Sequence, residues 1–247
     1  MKNYLLAEHL KHKRSFLNKL IVLAPIVAIA NAFVLMPLYF TVNAYNWWYI
    51  ILMPATFALI PAMMHRKEER KLNYRAVYPL NVNLKKVWVS KILTALIYIS
   101  ITETIHMFGV FILQFFIGNQ QLSPNYGLTT LLLASILLVI TNIWQIPFCF
   151  FLAKKIGFIS SVVGNAVLGL IFGILFSDSP IWIFCPYSWG IRLMVPVMRI
   201  LPNGIPAETT NPMLSNTSLV IPCILSIGCF VLFTTITANW FSKLEVK

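Results

Sequence analysis

The chain has 247 residues, of which 59% are hydrophobic and 11% are charged, and its mean hydropathy is +0.79. Such values exclude an ordinary soluble domain and indicate a membrane protein. The formal net charge of +12 can attract nucleic acid. However, the cations lie in short connections beside apolar segments, which favours a role in membrane orientation and no nucleic-acid partner.

Residues 1–18 have the pattern of a helix that lies on the membrane surface. Glu8, Lys11 and Arg14 lie off the apolar arc of a helical wheel, as polar residues do in interfacial helices, whereas His9 and Lys13 fall on it and make the helix only moderately amphipathic. A basic tail that orients the first span is the alternative. The residues on the apolar arc are Leu6, Leu10, Leu17, Leu20 and Ile21.

Six segments are apolar over about 20 residues, the length that a membrane-spanning helix needs. Prolines lie within or at the ends of several segments, and membrane helices tolerate them when neighbouring groups bond the freed carbonyls. The sequence therefore predicts a single all-α, polytopic membrane domain with six transmembrane helices. The six segments are residues 19–41, 47–64, 92–117, 128–152, 156–176 and 219–241.

The Lys and Arg residues lie almost entirely on one side of these six spans. If the N-terminus is cytoplasmic, all 19 except Arg192 and Arg199 face the cytosol. Cationic loops are retained on the cytoplasmic side, because moving solvated charges across hydrocarbon is costly. We therefore predict a multi-pass protein with both termini in the cytosol.

The apolar stretch 181–201 is long enough for a seventh span, but two prolines interrupt it and Arg192 lies near its middle. Ser179, which precedes Pro180, suits the start of one short helix. Ser188, which follows Pro186, suits the start of a second. We therefore predict two short helices that dip back from the outer face, within an outer segment of residues 177–218.

The connection between the second and third predicted spans, residues 65–91, holds 8 of the 19 Lys and Arg residues. We predict that residues 65–71 extend the second span and that Asn81 or Asn83 caps a helix leading into the third. The loop between them offers aromatic and apolar side chains to a groove on another protein, or rests on anionic headgroups. The candidate contact residues are Tyr74, Val77, Tyr78, Pro79, Leu80 and Asn81.

Signatures of an enzyme are scarce. The sequence has no P-loop, HExxH or GxSxG motif, so the chain is not itself a P-loop ATPase. Glu103 and His106 form a single ExxH pattern, whereas a di-iron bundle needs that motif twice. Glu103 is the only carboxylate within a predicted span, so it faces the bundle interior, a wet path or a partner, or it is protonated. An intramembrane enzyme would have to use this pair.

Amides and small residues within the spans predict helix packing. Gly169 and Gly173 form a small-xxx-small pair, which permits close approach within one subunit or between two. Gln145 is one of several amides that are candidates for interhelical hydrogen bonds. The others are Gln114, Asn142, Asn165 and Asn239.

The whole pattern resembles the ABC-2 type permeases. An N-terminal surface helix precedes six spans, and a broken apolar stretch at residues 180–201 precedes the last one. The long inner loop contains KEER at 67–70, YPLNVN at 78–83 and WVSKI at 88–92. In its length and its lack of a nucleotide-binding domain, the chain most resembles the permease subunits of lantibiotic protection (immunity) transporters in Gram-positive bacteria.

The resemblance implies a bacterial cell-membrane subunit that pairs with a second, non-identical permease and two copies of an ATP-binding cassette subunit. ATP and Mg would bind that partner, and this chain would hold no cofactor. Residues 74–83 would correspond to the coupling helix and 1–18 to the elbow helix. The substrate would be an amphipathic antimicrobial peptide, a lantibiotic, expelled outward for self-protection. Another drug or lipid-like substrate, and a binding protein that does not transport, are alternatives.

These inferences divide the chain into consecutive parts within one transmembrane domain. The parts are the elbow helix (1–18), spans 1 and 2 (19–64), the cytoplasmic coupling loop (65–91), spans 3 to 5 (92–176), the outer re-entrant segment (177–218), and span 6 with the cytoplasmic tail (219–247).

Overall fold

The computed structural model describes residues 1–72, 82–117 and 125–243, and most of these residues are helical. Short 3₁₀ turns and one π turn, Trp48–Leu52, connect or interrupt the helices. Within the described residues the only β pairing is a bridge between Ile200 and Pro206. The helices are α1 (Lys2–His12), α2 (Phe16–Leu35), α3 (Phe40–Trp47), α4 (Met53–Leu72), α5 (Leu84–Ile117), α6 (Leu128–Asn142), α7 (Gln145–Ile156), α8 (Phe158–Ser177), α9 (Ser188–Met198) and α10 (Val220–Phe241).

Several of these helices are long and apolar enough to cross a membrane. The pair α6–α7, bent by 44°, supplies one further span if it is a single broken helix. The prediction of an all-α fold is therefore confirmed for the described residues, and five or six of their helices are long and apolar enough to span a membrane. The five unbroken spans are Phe16–Leu35, Pro37–Glu69, Leu84–Ile117, Phe158–Ser177 and Val220–Phe241.

The first span ends earlier than the predicted residue 41. α2 stops at Leu35, because Met36 precedes Pro37 and takes a non-helical conformation with φ −150°. Residues 37–46 therefore belong to the second span, which was predicted to begin at residue 47. The sequence pattern alone did not separate the two helices correctly.

The second span passes through the π turn just before Pro54. A proline has no N–H for the helical ladder, and a wider turn on its N-terminal side accommodates the missing bond. Asn165 of α8 donates a hydrogen bond to the Pro54 carbonyl at 2.8 Å. This span lies at the centre of the bundle: 67% of its apolar window is buried, against 17% for α10.

The fourth predicted span, residues 128–152, is broken at residues 143 and 144. Pro147 explains the break, since its ring would clash with the carbonyl of residue 143 in a straight helix. Prolines within these segments were expected to be tolerated, but α6 and α7 meet at a bend of 44°.

The N-terminal helix is shorter than the predicted residues 1–18. α1 ends at His12 and α2 already begins at Phe16. Ser15, between them, has extended backbone angles (φ −109°, ψ 163°), and its hydroxyl donates to the His12 carbonyl at 2.9 Å. The chain therefore turns at residues 13–15, and α1 packs along α5.

Both flanks of the predicted inner loop are helical. α4 reaches Leu72, which confirms the predicted extension of the second span. The Asn83 side chain accepts a hydrogen bond from the Lys86 N–H at 3.1 Å, so Asn83 caps α5 as predicted. The alternative cap, Asn81, lies outside the described residues.

The outer segment contains one short helix instead of the expected two. Only a 3₁₀ turn, Trp182–Phe184, follows Ser179, whereas α9 begins at Ser188 as predicted. Eleven residues of helix extend about 16 Å, and a hydrocarbon core of about 30 Å needs roughly twice that length. α9 therefore does not cross the membrane.

Arg192 of α9 is buried, and its charge is fully accommodated. The guanidinium donates to the Ser177 carbonyl at 2.8 Å and to the Thr217 hydroxyl at 3.0 Å. It also lies 5.5 Å from the centre of the Trp182 ring. These contacts hold α9 and the following loop against the end of α8.

The ends of five helices, most of them charged, lie together at one end of the bundle, which we call the charged end. It consists of α1, the C-terminal turns of α4 and α7, the N-terminal turn of α5 and the last turn of α10. Lys11 pairs with Glu68, joining α1 to α4. Trp88 of α5 stacks on Phe241 of α10 with ring centres 4.5 Å apart. The two terminal helices thus lie at the same end of the bundle.

Two glycines of α8 bring it close to its neighbours. A Cβ on Gly169 would lie 2.9 Å from the Cβ of Pro54, and one on Gly173 would lie 2.8 Å from Ile191 Cδ1. The predicted glycine pair therefore packs within this chain, against α4 and α9. A Cβ on Gly164 would meet no described atom within 4 Å.

Replacing Gly169 with Ala tests this packing. We expect a loss of about 1–3 kcal/mol in the free energy of unfolding, because the rigid Pro54 ring cannot yield to the new methyl group. Gly164→Ala is the matched control, and its better helix propensity should leave stability unchanged or raise it by up to about 1 kcal/mol. Denaturation of the purified chain in mixed micelles measures both, and equal values would contradict the packing.

Candidate functional site

The predicted coupling residues Tyr74, Val77, Tyr78, Pro79, Leu80 and Asn81 all lie outside the described residues. The structure does describe the two helix ends that flank them, the last turns of α4 and the first turns of α5. The arrangement of charge around those two ends is the first candidate site.

Glu68 of α4 is the centre of a buried group of charges. Its Oε1 accepts a hydrogen bond from Lys11 of α1 at 3.0 Å, and its Oε2 is paired with Lys91 of α5. Lys11 also pairs with Glu8 at 2.6 Å. Glu68 is 3% exposed and Lys91 is 2% exposed. We call Glu8, Lys11, Glu68 and Lys91 the charge cluster.

Further contacts fix this cluster in place. Lys67 donates to the backbone carbonyl of Lys11. The Lys91 ammonium lies 5.5 Å from the centre of the Phe241 ring and 6.0 Å from that of Trp88. Cations are attracted to aromatic faces at such distances. The charge cluster therefore joins α1, α4, α5 and α10 at the charged end.

His12 at the end of α1 is buried beside the cluster. Burial, together with the positive charges of Lys67 and Lys11, lowers the pKa of His12 from 6.5 to about 3. The imidazole is therefore neutral at physiological pH and adds no charge to an end of the bundle that is already cationic.

The second candidate site surrounds Glu103 in the middle of α5. Oε2 of Glu103 accepts a hydrogen bond from the Trp48 indole at 2.6 Å. The Trp48 ring stacks on His106, with ring centres 4.6 Å apart and planes at 12°. Tyr45 meets His106 edge-on at 5.1 Å, and its hydroxyl lies 3.1 Å from the Ser135 hydroxyl.

Glu103 and His106 therefore make different kinds of contact: a hydrogen bond for Glu103 and ring packing for His106. Glu103 is 3% exposed, and His106 is enclosed by aromatic rings instead of facing the carboxylate as one half of an acid–base pair. Within the described residues no group of three or more His, Cys, Asp or Glu side chains could hold a metal ion.

A groove opens beside Glu103 between α5 and α6. Its volume is about 260 Å³, and apolar side chains form most of its wall. The polar residues in the wall are Ser100, Glu103, Thr104 and Ser135. Glu103 Oε1 has no hydrogen-bond partner among the described residues.

Gln145 belongs to a chain of hydrogen bonds at the break between α6 and α7. It donates to Asn142 at 2.6 Å and accepts from Asn165 at 2.8 Å. Asn165 in turn accepts from the Tyr187 hydroxyl at 2.9 Å. These bonds join α6, α7 and α8 to the start of the outer segment, so Gln145 serves helix packing in this fold.

Two residues that complete these sites were not predicted from the sequence. Trp48 was predicted only as part of an apolar span, although its indole donates a hydrogen bond to Glu103. Glu68 was named only within the KEER segment at 67–70 and given no role, yet it is the buried anion of the charge cluster. The local pattern carried a weak signal for Glu68: an isolated acidic pair within a basic stretch.

Comparisons of the chain with protein-family models, curated proteins and solved structures found no match. The functional argument therefore rests on the residues and contacts described above.

Substituting Glu68 with Gln tests the charge cluster. The buried Lys91 would then lack its paired carboxylate, and the half-buried Lys11 would keep only Glu8, so we expect a loss of about 3–5 kcal/mol in the free energy of unfolding. Lys154→Met is the control, because its 3.5 Å pair with Glu69 is partly exposed and contributes no more than about 1 kcal/mol. Denaturant titration of both variants in mixed micelles measures the difference. Similar small losses in both would show that the cluster does not hold the helices.

Substituting His12 with Gln tests its burial through pH dependence. Between pH 6.5 and about 3 the unfolded chain binds a proton at His12 that the folded chain rejects, so stability falls as pH falls through this window. The variant should lack this component, which reaches about 1.4 kcal/mol per pH unit. Unfolding titrations at several pH values compare it with wild type and with Lys13→Gln, an exposed neighbour. Identical slopes for all three proteins would contradict the buried, neutral imidazole.

Proposed function

We propose that this chain is the permease subunit of an ABC exporter in the bacterial cell membrane. A separate ATP-binding cassette subunit, present in two copies, hydrolyses ATP, and a second permease completes the assembly. The exporter expels an amphipathic antimicrobial peptide of the lantibiotic class from the membrane and so protects the cell.

The charge cluster is the observation that carries this proposal. Glu68 and Lys91 lie on the two helices that enter and leave the segment containing Tyr78, and Lys11 adds the N-terminal helix to the same group. A push on that segment from a cytosolic ATPase would therefore move α1, α4 and α5 together. Such a rigid junction is what the elbow and coupling helices of a permease require.

The orientation in the proposal follows from charge. The charged end holds α1 and the flanks of the inner loop, and a cation-rich end faces the cytosol by the positive-inside rule. In this orientation the bent pair α6–α7 is a single span, giving six. The short helix α9 then dips in from the outer face and does not cross.

The surface supports contact with lipid and with other membrane subunits. α8 and α10 bury little of their apolar windows, 22% and 17%. Large side chains such as Ile159, Leu175 and Ile224 are exposed on them. In a membrane these faces meet acyl chains or a second permease rather than water.

A membrane protein that binds the peptide without transporting it is the second candidate. The groove beside Glu103 fits both candidates, because a buried carboxylate within an apolar groove can hold a cationic amphiphile with or without an ATPase. The two candidates differ in whether protection of the cell needs ATP hydrolysis.

Tyr78→Ala in the full chain, expressed with its ATPase, tests the exporter. We expect loss of an aromatic contact to reduce co-purification of the ATPase, and peptide resistance, by about tenfold or more. Tyr39→Ala at the opposite end of the bundle is the matched control and should change neither. Unaltered co-purification and resistance in Tyr78→Ala would refute the coupling role. Resistance that persists with a hydrolysis-dead ATPase would favour the binding protein.

A further inference from the structure

The groove between α5 and α6 lies near the middle of the membrane. Glu103 lies twelve positions after Lys91 on α5, which corresponds to about 18 Å of helix. Lys91 belongs to the charged end, where the hydrocarbon core begins, and that core is about 30 Å thick. Glu103 therefore lies close to the depth at which a bare charge is most costly.

The groove faces the lipid rather than the centre of the bundle. Ile101 and Phe108 of α5 and Leu132 and Ile136 of α6 are 40–50% exposed on this side of the chain. Phe108, Leu132 and Ile136 also line the groove. A molecule dissolved in the bilayer thus reaches the groove sideways, without passing through water.

Two side chains of this chain reach Glu103: the Trp48 indole and the Ser135 hydroxyl, which lies beside the carboxylate. Trp48 donates to Oε2 at 2.6 Å, while Oε1 has no hydrogen-bond partner among the described residues. Arg192, the buried cation of α9, has its donors taken up by a carbonyl, a hydroxyl and a ring. A buried carboxylate that lacks one partner costs free energy unless a donor reaches it.

The other polar atoms of the groove are suited to an ammonium group. Ser100, Thr104 and Ser135 bring hydroxyl oxygens to the same wall as Glu103. A primary ammonium is compact and has three N–H donors, so it can bond to one carboxylate oxygen and to hydroxyl oxygens together. The remaining wall is apolar and matches an alkyl chain.

We propose that this groove binds the primary ammonium group of a membrane-dissolved amphiphile, with the ammonium at Glu103 and the apolar part between α5 and α6. The proposal rests on the exporter function for the identity of its natural ligand, a cationic amphipathic peptide that offers a lysine side chain or an N-terminal amine. Binding itself requires only this chain.

Photo-crosslinking of the purified full chain in phosphatidylcholine nanodiscs tests the site. The probe is dodecylamine carrying a diazirine in its chain, and peptide mass spectrometry locates the adducts. We expect adducts on residues 97–108 and 132–140, competed by excess dodecylamine but not by dodecanol. Loss of a charge-assisted hydrogen bond in Glu103→Gln should reduce them at least about tenfold.

Two further variants make the result decisive. Glu208→Gln removes an exposed carboxylate of the outer segment and should label like wild type. Ile136→Trp keeps the carboxylate but fills the groove, so it should also lose the adducts, even if Glu103→Gln fails to fold. Equal labelling of wild type and folded Glu103→Gln, or equal competition by amine and alcohol, would overturn the site.

The outcome is separable from the exporter proposal, because the crosslinking uses no ATPase and no peptide. If labelling fails while Tyr78→Ala still abolishes resistance, the ammonium site alone is wrong. If labelling succeeds while Tyr78→Ala has no effect, the site stands and the exporter is wrong.

Discussion

The pairing of the second span with α5 is the interaction on which the rest of the structure depends. Two buried polar contacts join these antiparallel helices at different points along their length: Glu68 with Lys91 at the charged end, and Trp48 with Glu103 near the middle of α5. Each contact satisfies a group that hydrocarbon would otherwise penalise heavily. The register of the pair is therefore fixed at two points along its length.

This pairing connects the two candidate sites physically. The second span carries both Trp48 and Glu68, and α5 carries both Lys91 and Glu103. A displacement at the segment after α4 reaches the groove through two continuous helices, without a separate chain of contacts. The junction with α1 adds a third element to the same rigid group, through Lys11. In the proposed exporter, the second span and α5 thus both flank the segment that the ATPase would push and contribute residues to the ligand site.

The sequence was sufficient for the class of fold and for local features. Hydropathy located the apolar spans, and the preference of Asn for a helix start predicted the cap at Asn83, because both depend on neighbouring residues. Proline effects were harder to place. Met36 ends α2 and Pro147 bends the fourth span, although other prolines, such as Pro25, lie inside unbroken helices.

Contacts between residues far apart in the chain could not be predicted from the sequence. Trp48 and Glu103 are 55 positions apart, and Lys11 and Glu68 are 57 apart. No local pattern records which indole or which lysine satisfies a given carboxylate. Glu103 was recognised as a residue needing an explanation because charge is rare in a span, whereas Glu68 was hidden among basic residues that suggested a solvated loop. The groove itself arises only when α5 and α6 pack.

The orientation of the charged end underlies every functional step, and thiol labelling in intact cells tests it directly. In a chain whose four native cysteines are replaced, Asn81→Cys marks the inner loop and Thr210→Cys marks the outer segment. A membrane-impermeant thiol reagent added outside the cells should label residue 210 and leave residue 81 unlabelled until the membrane is opened. Labelling of residue 81 in intact cells would contradict the account, because the charged end would then face away from any cytosolic ATPase.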